Sequence, residues 1–393
     1  MTRKISSYCA IGTLVALFVI SVNNTSAGGK DPQIKVQDGI VHGNFMDIEW
    51  QIDRRCVLPR GQGQAFDSHV VGDPCILWDS DVNTWRMFYF ASGEGGTRTG
   101  MALSRSAEAI APGDWKKIGL VQFSNPEVIL TPSNWHKWWV IMDAKRPNRA
   151  ARINGKYWSM FVTSRGGKNI QVASSERLAG PWTVRKMPVL SPDPEGIDGK
   201  HCDTVTGFWF EERKQVMVIY KAYPELSQEK DQPGAPFGSA TVVGWWHPDD
   251  EKAQKGEPVL RPGQNLTDWN RGWCSGVQLL YDQATATWYG LTSGSPTPPE
   301  DDSHREPAPS LGGWVRIKGP QPDEDWEAAN DIGPFRMPKD LTEDEVKAGL
   351  GVNFWRHHLL VTPGGKARIF FNSGPYGKEQ MYSLVPKSLD QQI

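Results

Sequence analysis

The sequence has no excess of either charge: 43 Lys+Arg stand against 45 Asp+Glu, a formal net charge of −2 over 393 residues. That balance excludes the strong electrostatic footprint of a nucleic-acid binder. Cysteine is scarce, five in all, and no CxxC pair occurs, which removes the zinc-ribbon pattern. No G-x-S-x-G elbow is present, so an α/β-hydrolase reading has no support. Gly93-Glu94-Gly95-Gly96 is followed by no GK[ST] and reads as a hairpin turn, not a phosphate loop. After residue 27 no apolar run is long enough to span a membrane.

What is abundant points elsewhere. Gly (40) and Pro (29) exceed the roughly 7% and 5% of average usage, favouring short strands and turns over long helices. Eighteen Trp are many for this length. They suit a β-rich core, and a Trp face also suits the apolar face of a sugar ring.

The N-terminus has the form of a processing signal. Arg3 and Lys4 precede a mostly apolar stretch from Ile5 to Val22, and small residues follow through Ala27. The expected division is a signal peptide over 1–27 and a single domain over 28–393, secreted or periplasmic. Cys9 leaves with the signal. Cys56, Cys75, Cys202 and Cys274 remain, as one or two disulfides or as buried free thiols. Asn265-Leu266-Thr267 is a glycosylation sequon that matters only in a eukaryotic secretory route.

Beyond residue 65 one unit recurs: an apolar strand, a Gly/Asn/Asp turn, then an aromatic-rich strand. Copies begin at Gly72-Asp73-Pro74, at Arg146-Pro147, at Asp203-Thr204-Val205, near Trp273 and at His358. Hairpins at this spacing predict an all-β fold, a five-bladed β-propeller of four-stranded antiparallel blades with long loop insertions. Residues 294–350 are the clearest insertion, with a short helix expected within Leu341 to Leu350, started at Thr342. A β-sandwich or two β domains is the alternative.

In such a fold the residues before each inner strand converge on the axis. Here they are Asp73, Arg146, Asp203, Trp273-Cys274-Ser275 and His357-His358. Paired carboxylates suit glycoside cleavage, one supporting the attacking water and another acid protonating the leaving oxygen. An Asp before Pro is also an ordinary turn residue.

These segments resemble the five-bladed β-propeller glycoside hydrolases, the arabinanase and β-xylosidase type of family 43 and, more distantly, the invertase type of family 32. The likeness lies in Gly72-Asp73-Pro74 with Trp85 to Tyr89, Asn154 to Trp158 with Ile170 to Ser175 and Gly180-Pro181-Trp182, Ile197 to Asp203 before Phe208, and Arg356-His357-His358. It implies that Asp73 is the general base, or the nucleophile of a retaining enzyme. Asp203 would orient the site and modulate the acid, with Asp198 competing for that place. The family's fourth-blade acidic Glu has no counterpart in Trp273 to Val277. His357, or His358 beside it, is therefore expected as the acid, with Glu195 and Asp268 as substitutes; with His357 in that role, His358 is a substrate ligand. Arg146, extended by Lys145, Arg149 and Arg152, is expected to grip an acidic or sulfated glycan, a salt bridge to Asp73 or Asp203 being the alternative. Trp138, Trp139 and Trp273 are candidate stacking platforms, whereas Trp78, Trp158 and Trp288 read as core. No cofactor is required; a calcium in the axial channel is the form a metal would take. The expectation is a secreted, monomeric hydrolase of a poly- or oligosaccharide. The alternative is a non-catalytic carbohydrate-binding propeller.

Overall fold

The computed structural model describes residues 35–37, 40–42, 45–128, 135–164, 168–223, 239–265, 267–296, 310–351 and 353–387. They belong to one compact unit, Pro32–Ile393. The expected signal segment 1–27 lies outside the described residues. No helix among those described is long and apolar enough to cross a membrane.

The fold is nearly all-β. A two-stranded pair, β1 (Lys35–Gln37) and β2 (Ile40–His42), precedes β3 (Trp50–Leu58). The first sheet is a meander of β4 (Val70–Asp79), β5 (Thr84–Gly93), β6 (Gly96–Ser104) and β7 (Trp115–Leu120). The second begins with β8 (Trp135–Val140) and the short strands β9 (Met142–Asp143), β10 (Arg146–Ala150) and β11 (Arg152–Ile153). It continues with β12 (Lys156–Ser164), β13 (Lys168–Ser175) and β14 (Thr183–Val184), and β12 lies between β8 and β13. A third meander, β15 (His201–Phe210), β16 (Gln215–Tyr223), β17 (Ala240–Trp246) and β18 (Gln254–Leu260), joins it through a parallel bridge of Lys168 with His201. Next come β19 (Trp273–Cys274), β20 (Gln278–Asp282), β21 (Thr287–Ser295), β22 (Leu311–Ile317) and β23 (Trp326–Ala328). After helix α1 (Glu343–Lys347), the last sheet holds β24 (Trp355–Val361), β25 (Ala367–Ser373) and β26 (Gln380–Pro386). Its outer strand is β3, from the other end of the sequence, paired to β26.

The first strands of the sheets pack on one another: β24 on β4, β4 on β8, β8 on β15, and β20 on β24. Their neighbours are joined by tight hairpins that place Asn83, Asn154, Lys214 and Ala286 at positive φ. Asn tolerates that conformation through its short polar side chain, which is why two of these turns are readable in the sequence. The helix expected at Thr342 forms, with Thr342 and Glu345 closing a capping box, but it is only five residues long. All four cysteines among the described residues are free thiols, so the disulfide alternative does not apply. Burial pushes the Cys56 thiol up to about 12 and that of Cys274 to about 11, so neither is a reactive thiolate.

One irregularity repeats and builds the site. In β4, β8, β15 and β24, two residues oppose a single aromatic residue of the neighbouring strand: Tyr89, Phe161, Tyr220 and Phe371 respectively. The first residue of each bulge, Asp73, Lys137, Thr204 or Arg356, has positive φ, between 46° and 59°. A β-bulge re-aims side chains that a regular strand would send to alternate faces. Asp73, Lys137 and Arg356 thereby reach one cavity. The second bulge residue turns into the core. Trp138 stacks on Phe161 at 4.9 Å and meets Trp182 edge-on at 5.2 Å. Removing such a ring costs about 3–5 kcal/mol. His357 occupies the same bulge position in β24 that Trp138 occupies in β8.

Candidate active site

The bulges open into a cavity of about 410 Å³. Its ionisable walls are Asp73, His136, Lys137, Lys168, Asp203, Tyr223, Arg356, Tyr376 and Glu379, with Trp355 and Phe90 as aromatic surface. A narrow extension of about 30 Å³ continues past Asp73, Lys137 and Arg356 toward Trp139, Gln278 and His357.

Asp203 is fully buried, and its two oxygens each accept from a lysine, Lys137 Nζ at 2.6 Å and Lys168 Nζ at 2.6 Å. Burial alone would raise its pKa. The two ammonium groups and Arg356 overcome that and hold its carboxyl well below the usual carboxylate range. Asp203 is therefore ionised at working pH and cannot donate a proton. Burial, together with Arg356 and Lys168 nearby, pushes Lys137 down to about 7 in spite of Asp203. Arg356 Nε lies 3.7 Å from Asp73 Oδ2. His136 is held down to about 3 by burial, so it is a neutral imidazole; its Nδ1 lies 3.3 Å from Val162 O.

Glu379 sits on the turn before β26, and its carbonyl accepts from Val71 N at 3.0 Å, two residues from Asp73. Asp73 N in turn donates to Asn372 Oδ1 at 3.2 Å. The Glu379 side chain is only 5% exposed, and its Oε2 has no hydrogen-bond partner. Burial first, then the Asp73 charge, pushes its pKa up to about 7. One cavity thus holds a carboxylate beside a guanidinium and a second carboxyl that keeps its proton to near neutrality. A carboxyl that keeps its proton to near neutrality is suited to acid work. Trp355 adds a ring wall and an indole Nε1 without a protein acceptor.

No protein-family model matches the sequence, and no curated protein sequence matches it. The structure, in contrast, matches solved ones. A glycoside hydrolase superposes with a TM-score of 0.61 at 12% identity, over 85% of this protein and 92% of that one. A complex of BT0996 with RGII gives 0.64 at 11%, over 88% and 93%. A thermostable family-43 glycoside hydrolase gives 0.54 at 16%, over 84% and 91%. The fold is similar to that of the family-43 glycoside hydrolases. At these identities the likeness is one of fold.

Against that family's pattern, the structure brings Asp73 and Asp203 to one cavity and leaves the other expected residues outside it or enclosed. Arg146 has a side chain 57% exposed, is paired to Asp143 at 2.5 Å and is absent from the cavity wall. β8 is the strand that packs on β4 and β15, so Lys137, not Arg146, is the residue that meets the cavity. Lys145 pairs with Glu212, and Arg149 and Arg152 lie over Trp78 and Tyr157. His357 is enclosed by Phe335, Phe354 and Phe371, with ring centroids at 5.4–6.3 Å, and burial alone holds it to about 3. A neutral imidazole of that affinity holds no proton to donate near neutral pH. Its ring also fixes Gly312, where a Cβ would collide with it. His358 lies deeper, its Nε2 2.8 Å from Asn148 Nδ2 and 3.0 Å from Ile76 O.

None of the three expected stacking tryptophans is open. Trp139 donates to Gly207 O at 3.1 Å and packs against Phe208 and His358. Trp273 is covered by the buried Lys221 ammonium, 4.0 Å from its ring centroid. Trp138 is core, as described. Among the alternatives, Asp198 is buried elsewhere, accepting from Tyr220 at 2.9 Å and Lys255 at 2.7 Å. Glu195 is exposed, and Asp268 ties the loop at Asn265.

Within Trp273 to Val277, which holds no carboxylate, Gly276 is closely packed. A Cβ on Gly276 would collide with the Thr204 carbonyl oxygen, so this point, between β19 and β20, admits no side chain. Among the described residues no group of three or more His, Cys, Asp or Glu is placed to hold a metal ion.

Proposed function

We propose that this protein is a glycoside hydrolase on a five-bladed β-propeller, its blades beginning at β4, β8, β15, β19 and β24. The observation behind this reading is the pairing of Asp73, beside Arg356, with the buried, proton-retaining Glu379 in one cavity. Glu379 gives its proton to the glycosidic oxygen as the bond to the anomeric carbon breaks. Asp73 takes a proton from the attacking water, whose hydroxyl completes the new sugar end. Asp203 does not touch the reacting atoms; it positions Lys137 and Lys168. Trp355 offers a ring face to the sugar. Glu379 replaces His357 in the acid role. Export through segment 1–27 belongs to the same proposal, as does a poly- or oligosaccharide substrate.

The test is reducing-sugar release from arabinan, xylan, fructan, pectic and sulfated algal glycans. Asp73→Asn and Glu379→Gln should each lower the rate by about 10²–10⁴-fold. Wild-type activity should fall as pH rises through about 7, where Glu379 loses its proton. Retention of a glycan with no release by the wild type would replace this reading with the binding module.

A further inference from the structure

The bulge that aims Asp73 is held from another sheet. Asp73 and Pro74 together oppose Tyr89, between the pairs Gly72 with Phe90 and Cys75 with Phe88. Pro74 has no N–H, so of these two residues only Asp73 has a backbone donor that needs an acceptor. Its N–H goes to Asn372 Oδ1 on β25, at 3.2 Å. Asn372 is 4% exposed, lines the cavity and lies opposite Trp355, the residue before Arg356, in the β24–β25 ladder. A Cβ on Gly72 would come within 2.6–2.8 Å of the Asn372 Cβ, Cγ and Nδ2, so the residue before Asp73 must be Gly for the amide to reach. The same device recurs one sheet earlier. Arg356, first residue of the β24 bulge, donates its N–H at 2.9 Å to Ser293 Oγ, on β21 of the preceding sheet. In both cases a polar side chain of the preceding sheet receives the N–H of a left-handed bulge residue, at φ 46° for Asp73 and 55° for Arg356.

A residue other than glycine keeps that conformation only where its surroundings hold it. A bulge released from its acceptor relaxes toward the alternation of a regular strand, which sends the side chain elsewhere. We infer that Asn372 is a positioning residue: by receiving the Asp73 N–H it fixes the bulge from which the Asp73 carboxylate meets Arg356 and the attacking water. The last sheet then carries the acid Glu379 and, through Asn372, sets the place of the base as well. For its effect on rate this inference rests on the glycoside hydrolase reading; the hold on Asp73 itself does not.

Two measurements separate these. The first is amide hydrogen exchange on the whole protein, without substrate. In Asn372→Ala the Asp73 amide should exchange about tenfold faster. The amide of Ile76, which donates to His358 Nε2 at 3.3 Å in the same strand, should keep its wild-type rate. Gly72→Ala, which drives the Asn372 side chain from its seat, should free the Asp73 amide with Asn372 still in the sequence. Asn372→Asp retains an acceptor oxygen and should retain the protection. The second measurement is turnover of the glycan panel above. Asn372→Ala and Gly72→Ala should each lower kcat by about 10–100-fold at unchanged KM. The double variant should fall little below either single one, because both remove one contact. An Asp73 amide at its wild-type rate in both variants overturns the inference, as does equal acceleration at Ile76, which reports general loosening. An unchanged kcat, or a change in KM alone, overturns it too and leaves the hydrolase reading standing. Faster exchange confined to Asp73, in a protein that cleaves no glycan, keeps the hold of Asn372 and removes the hydrolase reading.

Discussion

Asp203 in the cavity wall and His357 in the narrow extension are both enclosed by protein, yet one keeps its charge and the other gives it up. Burial penalises both. Asp203 has two lysines on its oxygens, whereas His357 has three phenyl rings and a serine hydroxyl at 3.3 Å. Partners, not depth, decide which buried groups remain ionised. Glu379 stands between the two cases. It is buried, its Oε2 is without a partner, and the Asp73 charge adds to the penalty, so its proton affinity rises to the range useful for an acid.

The comparison breaks most severely at Asp203. Asp203→Asn leaves two lysines facing Arg356 with no shared counter-charge and should cost roughly 3–5 kcal/mol in urea unfolding at pH 7. Because the Asp203 pKa is lowered on folding, its stabilising effect exists above the ordinary carboxylate range and is lost only as pH falls through the folded value. A loss under about 1 kcal/mol would mean that the lysines do not hold this carboxylate.

Glu379→Gln should move stability the other way. A carboxyl raised from 4.5 to about 7 makes the native state hold the extra proton, so stability drains as pH rises across that window. Removing the ionisation should stabilise the protein by about 3 kcal/mol at pH 8 and by almost nothing at pH 4. Thermal melts at the two pH values read the difference; equal shifts would show that Glu379 is not the proton-retaining group.

The smallest effect sharpens the comparison. His357 is held to about 3 when folded, so the unfolded chain takes up a proton below about 6.5 and stability falls as pH drops through that range. His357→Gln should reduce this fall by about 2 kcal/mol at pH 5 and leave the pH profile of the rate unchanged. A changed rate profile would return the imidazole to the chemistry.

Much of this is legible in the sequence, and the rest is hidden for definable reasons. Asp73 announces itself because an Asp-Pro step opens an apolar strand after Gly72. Asn83 and Asn154 mark hairpins because Asn accepts positive φ; Lys214 and Ala286 do the same job without any such signal. Lys137 escapes notice because Trp135 to Val140 reads as one apolar strand, and only the bulge separates the lysine from the tryptophans around it. Arg146 draws the eye because Arg-Pro has the look of a strand start. Glu379 is a lone acid in a Gly-rich turn, and nothing local relates it to Asp73, some 300 residues earlier. Trp273 reads as open because Lys221, which covers it, lies on a different sheet.

The pairing of β3 with β26 has a consequence in time. Asp73 is synthesised early, whereas Arg356 and Glu379 belong to the last tenth of the sequence. A nascent polypeptide therefore presents Asp73 without Glu379, and the last sheet stays one strand short until β26 finds a partner made more than 320 residues before. On the proposed reading the acid and the base come together only when β26 meets β3. A product truncated before the final sheet would keep Asp73 and lack both Arg356 and Glu379.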